Sequence, residues 1–421
     1  MSHAATGLPR DCATAMKSRL LSADLVVIIA GITAAMHVGK LPPAIPVLRD
    51  ALGVTLLQAG FLLSLVQFAG MIAGVFIGAA ADGFGLKRSV LAGLAILTVA
   101  SALGGFAHDA SQLMALRTLE GFGFLLAILP VPSLLRELVP PERLNLRLGV
   151  WGTFMPIGTA LALLCGPWVM AVIGWPGWWW TLAGLTAAMA AWTALGVPPD
   201  HARRHVADAG AGSFAADAGW VRRLRVTLSA AGPWLVALSF AMYSSQWLAI
   251  IGFLPSIYAQ SGMSVAEAGA LTALVAAVNV VGNVGSGRLL HAGTRPERIL
   301  YLGFATMLVG GVATFGLPSS TPFLLRYGAV LMLSAIGGLV PGALFALAVR
   351  FAPGPRMVST TVGWMLQFSA LGQFVGPPVV AWVAGVSGGW QWTWIVTGTA
   401  SLAGIGFAAL IGRVDRRRMP A

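Results

Sequence analysis

Apolar residues come in long runs along this chain, and polar residues are confined to the breaks between them. "LVVIIAGITAAMHVG", "FLLSLVQFAGMIAGVFIGAAA", "SVLAGLAILTVASALGGFA" and "YLGFATMLVGGVATFGL" each approach the ~20 residues that carry a helix across ~30 Å of hydrocarbon. Twelve such runs are predicted, at 24–48, 55–81, 88–106, 111–136, 147–173, 177–196, 230–258, 264–290, 298–316, 322–350, 358–384 and 390–412. They are too long, and alternate too little, for barrel strands. A helix satisfies its own backbone hydrogen bonds in lipid, so the pattern predicts an all-α integral membrane protein with twelve transmembrane helices.

One polar break is much longer than the others: "PPDHARRHVADAGAGSFAADAGWVRRLR", Pro198 to Arg225. It divides the chain into an N-terminal tail 1–23, a six-helix bundle 24–197, a linker 198–228, a second six-helix bundle 229–412 and a basic tail 413–421. The two bundles repeat at an offset of 209: Pro46, Gly53, Ala59 and Gly60 match Pro255, Gly262, Ala268 and Gly269. Gly78 matches Gly287, Arg117 matches Arg326, and His291 stands where the first half has Asp82. Small gaps then align Pro140 with Pro353, Arg143 with Arg356, and Trp178 and Trp180 with Trp392 and Trp394. An ordered series of this kind implies two parallel, pseudo-symmetric six-helix repeats, the organisation of transporters that rock about a central site.

Composition agrees with the periodicity. The chain is 57% hydrophobic and 10% charged, with a mean hydropathy of +0.83. A soluble domain is about 25% charged, so a water-soluble protein of this length is excluded. The 53 glycines suit close helix approach in a membrane. The net charge of +12 does change the picture, because of where it lies. Of 26 lysines and arginines, 22 fall in the tails and in the breaks on one side. The positive-inside rule then places both termini in the cytoplasm of a bacterial-type inner membrane, and no nucleic-acid partner is needed to explain the charge. The first apolar run is too long for a signal-peptide core and is read as helix 1. No disulfide is expected between Cys12 and Cys165. "GWPGWWW" and "GGWQWTW" read as outer turns before helices 6 and 12, with tryptophans at headgroup level. His201 and His205 lack partners for a metal, and no cofactor, nucleotide-binding motif or paired catalytic acid is apparent, so an enzyme is not expected.

After helix 2 comes "GAAADGFGLKR", Gly78 to Arg88. It resembles the G-x-x-x-D-x-x-G-x-[KR]-[KR] signature of the major facilitator superfamily. Gly78 would allow close helix contact and Gly85 a tight turn, Asp82 would cap a helix or pair with a base, and Lys87 and Arg88 would hold the loop at the inner face. Gly83 and Phe84 stand where the family often has an arginine. In helix 4, "RTLEGFGF" resembles the family's R-x-x-x-G-x-G pattern, with Gly121 and Gly123 as its glycines. The helix 5 antiporter motif is replaced by "GTFMPIGTA". The helix 1 pattern resembles the cyanate/nitroimidazole permease-like group within the superfamily. The resemblance implies a gating role for Gly78, Asp82, Gly85, Lys87, Arg88, Gly121, Gly123, Gly287 and His291.

Ionisable groups inside membrane runs mark a watery cavity, a partner or a transport path. Lys40 costs about 2.5–3.5 kcal/mol at a helix centre and has three readings: snorkelling to the headgroups, pairing with Glu120 or an aromatic ring, or binding an anion. Arg117 and Glu120 share a helix face and suit a proton-coupling pair, with His37 as a further relay, and His37 and Arg117 are also candidate substrate contacts beside Lys40. The excess of Lys40 and Arg117 over Glu120 favours an anionic substrate. Tyr243, Gln246, Trp247, Asn279 and Gln367 are candidate lining residues opposite, with Gln246 at the repeat position of His37. The expected function is secondary active transport of a small organic or inorganic anion by alternating access, coupled to protons, by a monomer embedded in lipid. The alternative is a proton-coupled exporter of amphipathic or aromatic compounds.

Overall fold

The computed structural model describes residues 22–75, 85–201, 219–318, 320–354 and 357–418. Eleven apolar helical runs among them are long enough to cross a membrane. The first four are α1 (Ala23–Leu52), α2 (Leu56–Val75), α3 (Leu86–Gly104) and α4 (Ala110–Leu138). The fifth, Pro141–Gly196, has 56 residues and turns at Gly174, whose φ of 71° and ψ of 175° are not helical. It holds two spans, α5 (154–173) and α6 (175–196), after a short helix Pro141–Trp151. The second half contributes α7 (Ala231–Gln260), α8 (Val265–His291), α9 (Pro296–Gly316), α10 (Phe323–Phe351), α11 (Val358–Ser387) and α12 (Trp390–Arg416). Twelve spans result, as the apolar runs predict. The expected fifth run began at 147, but its first residues belong to the short helix. A helix Gly219–Ser229 occupies the end of the expected linker. Gly78, Asp82, most of the linker and the outermost tail residues lie outside the described residues.

The repeat is written into the helix starts. Thr55 caps α2 in a capping box with Gln58, and Ser264 caps α8 in a capping box with Glu267. Each satisfies backbone N–H groups that a helix start leaves unpaired. Large apolar side chains such as Val172, Leu195, Leu324 and Val386 are exposed outward, the arrangement expected when lipid is the solvent.

On the side of the molecule where α1 begins and α12 ends, charged groups clasp helix ends. The Lys87 ammonium donates to the carbonyls of Ala194 (2.7 Å) and Val197 (2.6 Å) at the end of α6. In return, the Asp200 carboxylate accepts from the backbone N–H groups of Lys87 and Arg88 at the start of α3. Both contacts complement a helix dipole. Gly85 precedes α3 with φ of 107°, and a Cβ there would meet Asp200 at 2.6 Å. Asp24 pairs with Arg147 at 2.6 Å, and Asp415 with Arg350 at 2.9 Å.

Glycines set the helix spacing. A Cβ on Gly121 would lie 2.8 Å from Val66 O of α2, and one on Gly123 would lie 2.9 Å from Gly93 O of α3. Gly282 of α8 is tighter still, 2.1 Å from Ala335 O of α10, whereas Gly287 faces open space. Alanine is the better helix former by ~1 kcal/mol, but overpacking costs about 1–3 kcal/mol and here meets backbone, which cannot rotate away. Gly282→Ala is therefore expected to lower the melting temperature in detergent, while Gly287→Ala leaves it unchanged or raises it. Equal effects of the two would remove the packing argument.

The halves meet along two seams. Gly269 of α8 packs on Leu163 and Pro167 of α5. In the other seam α2 and α11 run antiparallel, with Gly60 against Pro377, Pro378 and Ala381 at one end and Val75 against Gly363 at the other.

Candidate functional site: a buried charge centre in the N-terminal half

Helix α1 is interrupted inside the bundle. Its first segment ends at Gly39, Pro42–Ala44 forms a 3-10 turn, and helix resumes at Ile45. Pro42 and Pro43 have no N–H for Val38 O and Gly39 O, which ends the helical ladder, and the carbonyls of His37 and Lys40 that flank this pair need other donors. Side chains supply them. The Arg117 Nη1 donates to His37 O at 2.5 Å, and the Trp178 indole donates to Lys40 O at 3.1 Å. Helix α2 is irregular at the same level, with a 3-10 turn at Leu65–Gln67, and Arg117 Nε donates to Leu62 O at 3.1 Å.

Lys40, at the break, is fully buried, as are His37, Arg117 and Glu120 to within 1%. Snorkelling of Lys40 is excluded by that burial. Its ammonium has three protons and three partners: Glu120 Oε1, Ser101 Oγ at 3.0 Å and His37 Nδ1 at 3.5 Å. It also stands 4.8 Å from the centre of the Trp179 ring, within cation–π range. Ser101 Oγ donates in turn to Trp179 O at 2.9 Å. The other Glu120 oxygen accepts from Arg117 Nη1 at 2.6 Å.

The hydrogen bonds assign the histidine tautomer. Thr186 Oγ1 donates to Leu182 O, which leaves it an acceptor for His37 Nε2 at 2.7 Å. The proton is then on Nε2, and Nδ1 is free to accept from Lys40. In this arrangement the centre holds two cations, one carboxylate and an uncharged imidazole, an excess of one positive charge. Arg117 Nη2 is buried and meets no acceptor among the described residues.

At the equivalent places of the C-terminal half only the arginine recurs: Arg326 stands where the first half has Arg117, but it donates to Leu317 O at 2.7 Å and to Pro318 O rather than to a carboxylate. Offset by 209 from Lys40 and Glu120 stand Ala249 and Ala329. Its network is neutral: Asn279 Nδ2 donates to the Tyr243 hydroxyl (3.0 Å) and to Ser334 O (2.9 Å), and Asn283 donates to Asn279. Gln246 accepts from Ser401 of α12 at 2.8 Å, as His37 bonds Thr186 of α6, so the pseudo-symmetry reaches single hydrogen bonds. Gln246 also borders a cavity of about 280 Å3 between α7, α11 and α12, lined almost wholly by apolar groups. Trp247 is buried, and its indole N–H meets no acceptor among the described residues. Gln367 lies in the α2–α11 seam, bonded to the α2 backbone. His291 and Gly287 are exposed near the end of α8.

The structure thus gathers His37, Lys40, Arg117 and Glu120 into one centre, joins Tyr243 to Asn279, and leaves Gln246 and Gln367 apart. Sequence reasoning missed Ser101, Thr186, Trp178 and Trp179. The tryptophan run before α6 reads as an interfacial belt, but Trp178 and Trp179 are 1% exposed and serve Lys40. Only Trp180, 44% exposed, keeps an anchor's environment.

The family model described as Major Facilitator Superfamily matches residues 25–377. The chain belongs to the major facilitator superfamily. A gallate transporter of Pseudomonas putida is 26% identical over 348 residues, 74% of this chain and 74% of the relative. A 4-hydroxybenzoate transporter of Pseudomonas aeruginosa is 26% identical over 429 residues, 92% of this chain and 90% of the relative. Among solved structures, a bacterial homologue of the human lysosomal transporter Spinster superposes with a TM-score of 0.78 at 17% identity, covering 95% of this chain and 98% of that one. That likeness establishes the fold. This superfamily member is accordingly a multi-pass membrane transporter and not an enzyme, and the narrower resemblance to cyanate/nitroimidazole permeases rests on helix 1 wording alone.

Proposed function

We propose that this transporter moves a small organic anion, of the aromatic carboxylate type, across a bacterial inner membrane by alternating access and in symport with protons. The observation that carries the reading is the excess positive charge of the Lys40–Glu120–Arg117 centre, with Arg117 Nη2 lacking an acceptor among the described residues. A substrate carboxylate supplies both the acceptor and the missing charge, in the planar geometry a guanidinium favours. The gallate and 4-hydroxybenzoate relatives support the aromatic part. Tyr243 and Trp247 offer rings on the opposing half.

Proton coupling follows from the charge balance. Protonating Glu120 removes the one anion that holds Lys40 and Arg117 and raises the excess from one to two. Anion binding and proton binding then favour each other, which is the sign required for symport. A cationic compound would be repelled by the excess positive charge of the centre, so the centre favours an anion over a drug cation as substrate.

The bundles 24–197 and 229–412 are taken as the two moving bodies of a monomer, with both termini cytoplasmic, as the one-sided basic residues support. The test is uptake of labelled 4-hydroxybenzoate and gallate into proteoliposomes. An inwardly directed proton gradient is expected to drive accumulation, and Glu120→Gln to abolish the gradient's effect. Uptake that ignores both the gradient and the substitution would sink the coupling. Transport of neutral or cationic aromatics in preference to carboxylates would sink the substrate class.

A further inference from the structure

One polar side chain crosses between the halves in an unusual way. The Gln367 carboxamide of α11 donates through Nε2 to Met71 O (2.8 Å) and accepts through Oε1 from Val75 N–H (3.3 Å). Met71 and Val75 are four residues apart on α2. Their carbonyl and N–H are the two groups that bond each other in a regular helix. A side chain of one half therefore brackets a single backbone pair of the other. The contact lies toward the end of the seam where α2 runs into the 2–3 loop. A second, simpler tie lies further along, where Gln67 Nε2 donates to Gln373 Oε1 at 3.1 Å.

Alternating access, the reading on which this inference rests, requires one end of the α2–α11 seam to part while the other stays shut. Parting a seam between two helices leaves their own backbone hydrogen bonds intact and costs the side-chain bonds that cross it. At this position nothing on the backbone need be stranded. When Gln367 withdraws, Met71 O and Val75 N–H remain helix partners of each other, and the amide faces the water that enters the opening. Gly74 and Gly363 keep the two helices close enough for the glutamine to reach, with Val75 Cγ2 3.7 Å from the position of a Cβ on Gly363.

We propose that Gln367 is a latch between the two halves: bound to the α2 backbone it holds the loop-side end of the seam shut, and its release is tolerated because Met71 O and Val75 N–H have each other as helix partners. The latch sets the balance between closed and open states without touching substrate.

The experiment measures the labelling rate of a single cysteine, Gly363→Cys, with a water-soluble maleimide in detergent, after Cys12→Ser and Cys165→Ser. The seam shields this position against Val75. Gln367→Leu removes both bonds and is expected to raise labelling roughly tenfold, the scale of losing two neutral hydrogen bonds of modest net strength. Gln367→Glu, ionised at pH 8, keeps the acceptor for Val75 N–H and loses the donor for Met71 O, so it is expected to give a smaller rise. Gln67→Leu breaks a side-chain tie only and serves as the comparison for a generic loss of packing. If Gln367→Leu does not purify as a folded protein, Gln367→Glu decides the matter. Labelling no faster in the Gln367 variants than in Gln67→Leu overturns the latch. The assay needs no substrate, so failed uptake of aromatic acids leaves it intact, and unchanged labelling leaves the transport reading intact.

Discussion

Glu120→Gln is expected to lower the stability of the purified transporter by about 3–5 kcal/mol, the range for breaking a buried ion pair from one side. The glutamine matches the shape of the glutamate, so packing is kept. What changes is charge. Lys40 and Arg117 are both fully buried and both lean on this one carboxylate. Without it, two cations face each other in a site buried from solvent. The decisive comparison is the double variant Glu120→Gln with Lys40→Met. Methionine follows much of the path of the lysine stem and leaves Trp179 a contact for its sulfur. The excess charge then returns to one, its original value. The double variant should melt well above Glu120→Gln alone, although it carries one more substitution. Simple addition of the two single losses would show that the centre is not held by charge balance. The same pair separates stability from coupling: the double variant should be folded and still indifferent to a proton gradient.

How much of this centre the sequence discloses depends on what each residue needs. The spans are legible because lipid imposes long apolar runs, whereas the break in α1 at Pro42–Ala44 falls inside the run expected at 24–48. Lys40 is legible as an anomaly, but the sequence leaves three readings for it. Choosing among them requires knowing which face of α4 meets α1, and Glu120 lies 80 residues away. Ser101 and Thr186 hide among the small residues that any membrane helix uses for packing. The tryptophans mislead for a physical reason: a run of four near a bend has the composition of an interfacial belt. Only the broken α1, with a free carbonyl at Lys40 and a cation beside it, draws Trp178 and Trp179 inward. Gln367 is visible as a polar residue in an apolar run, yet its partner is backbone, and backbone has no sequence signature.

Arg117→Lys is expected to abolish transport while keeping the charge. The guanidinium does three things at once: it caps the last turn of the first α1 segment through His37 O, bonds Leu62 O where α2 turns irregular, and holds Glu120. These partners lie on three helices and in three directions. A planar fork with five N–H groups spans them, whereas a lysine ammonium is a point charge on a flexible stem and reaches fewer of them. Two carbonyls buried away from water would lose a charge-assisted donor, at about 1.5–3 kcal/mol each. The melting temperature should fall accordingly, and uptake of 4-hydroxybenzoate should drop to background even at temperatures where the variant stays folded. Arg117→Lys with normal uptake would mean that positive charge alone suffices at this position. The site would then be a simple electrostatic trap. Loss of uptake in a folded variant would mean that geometry matters as well: the residue proposed to meet the substrate carboxylate is also the one that ties helices α1, α2 and α4 together, so anion binding and the shape of the N-terminal half would not change independently.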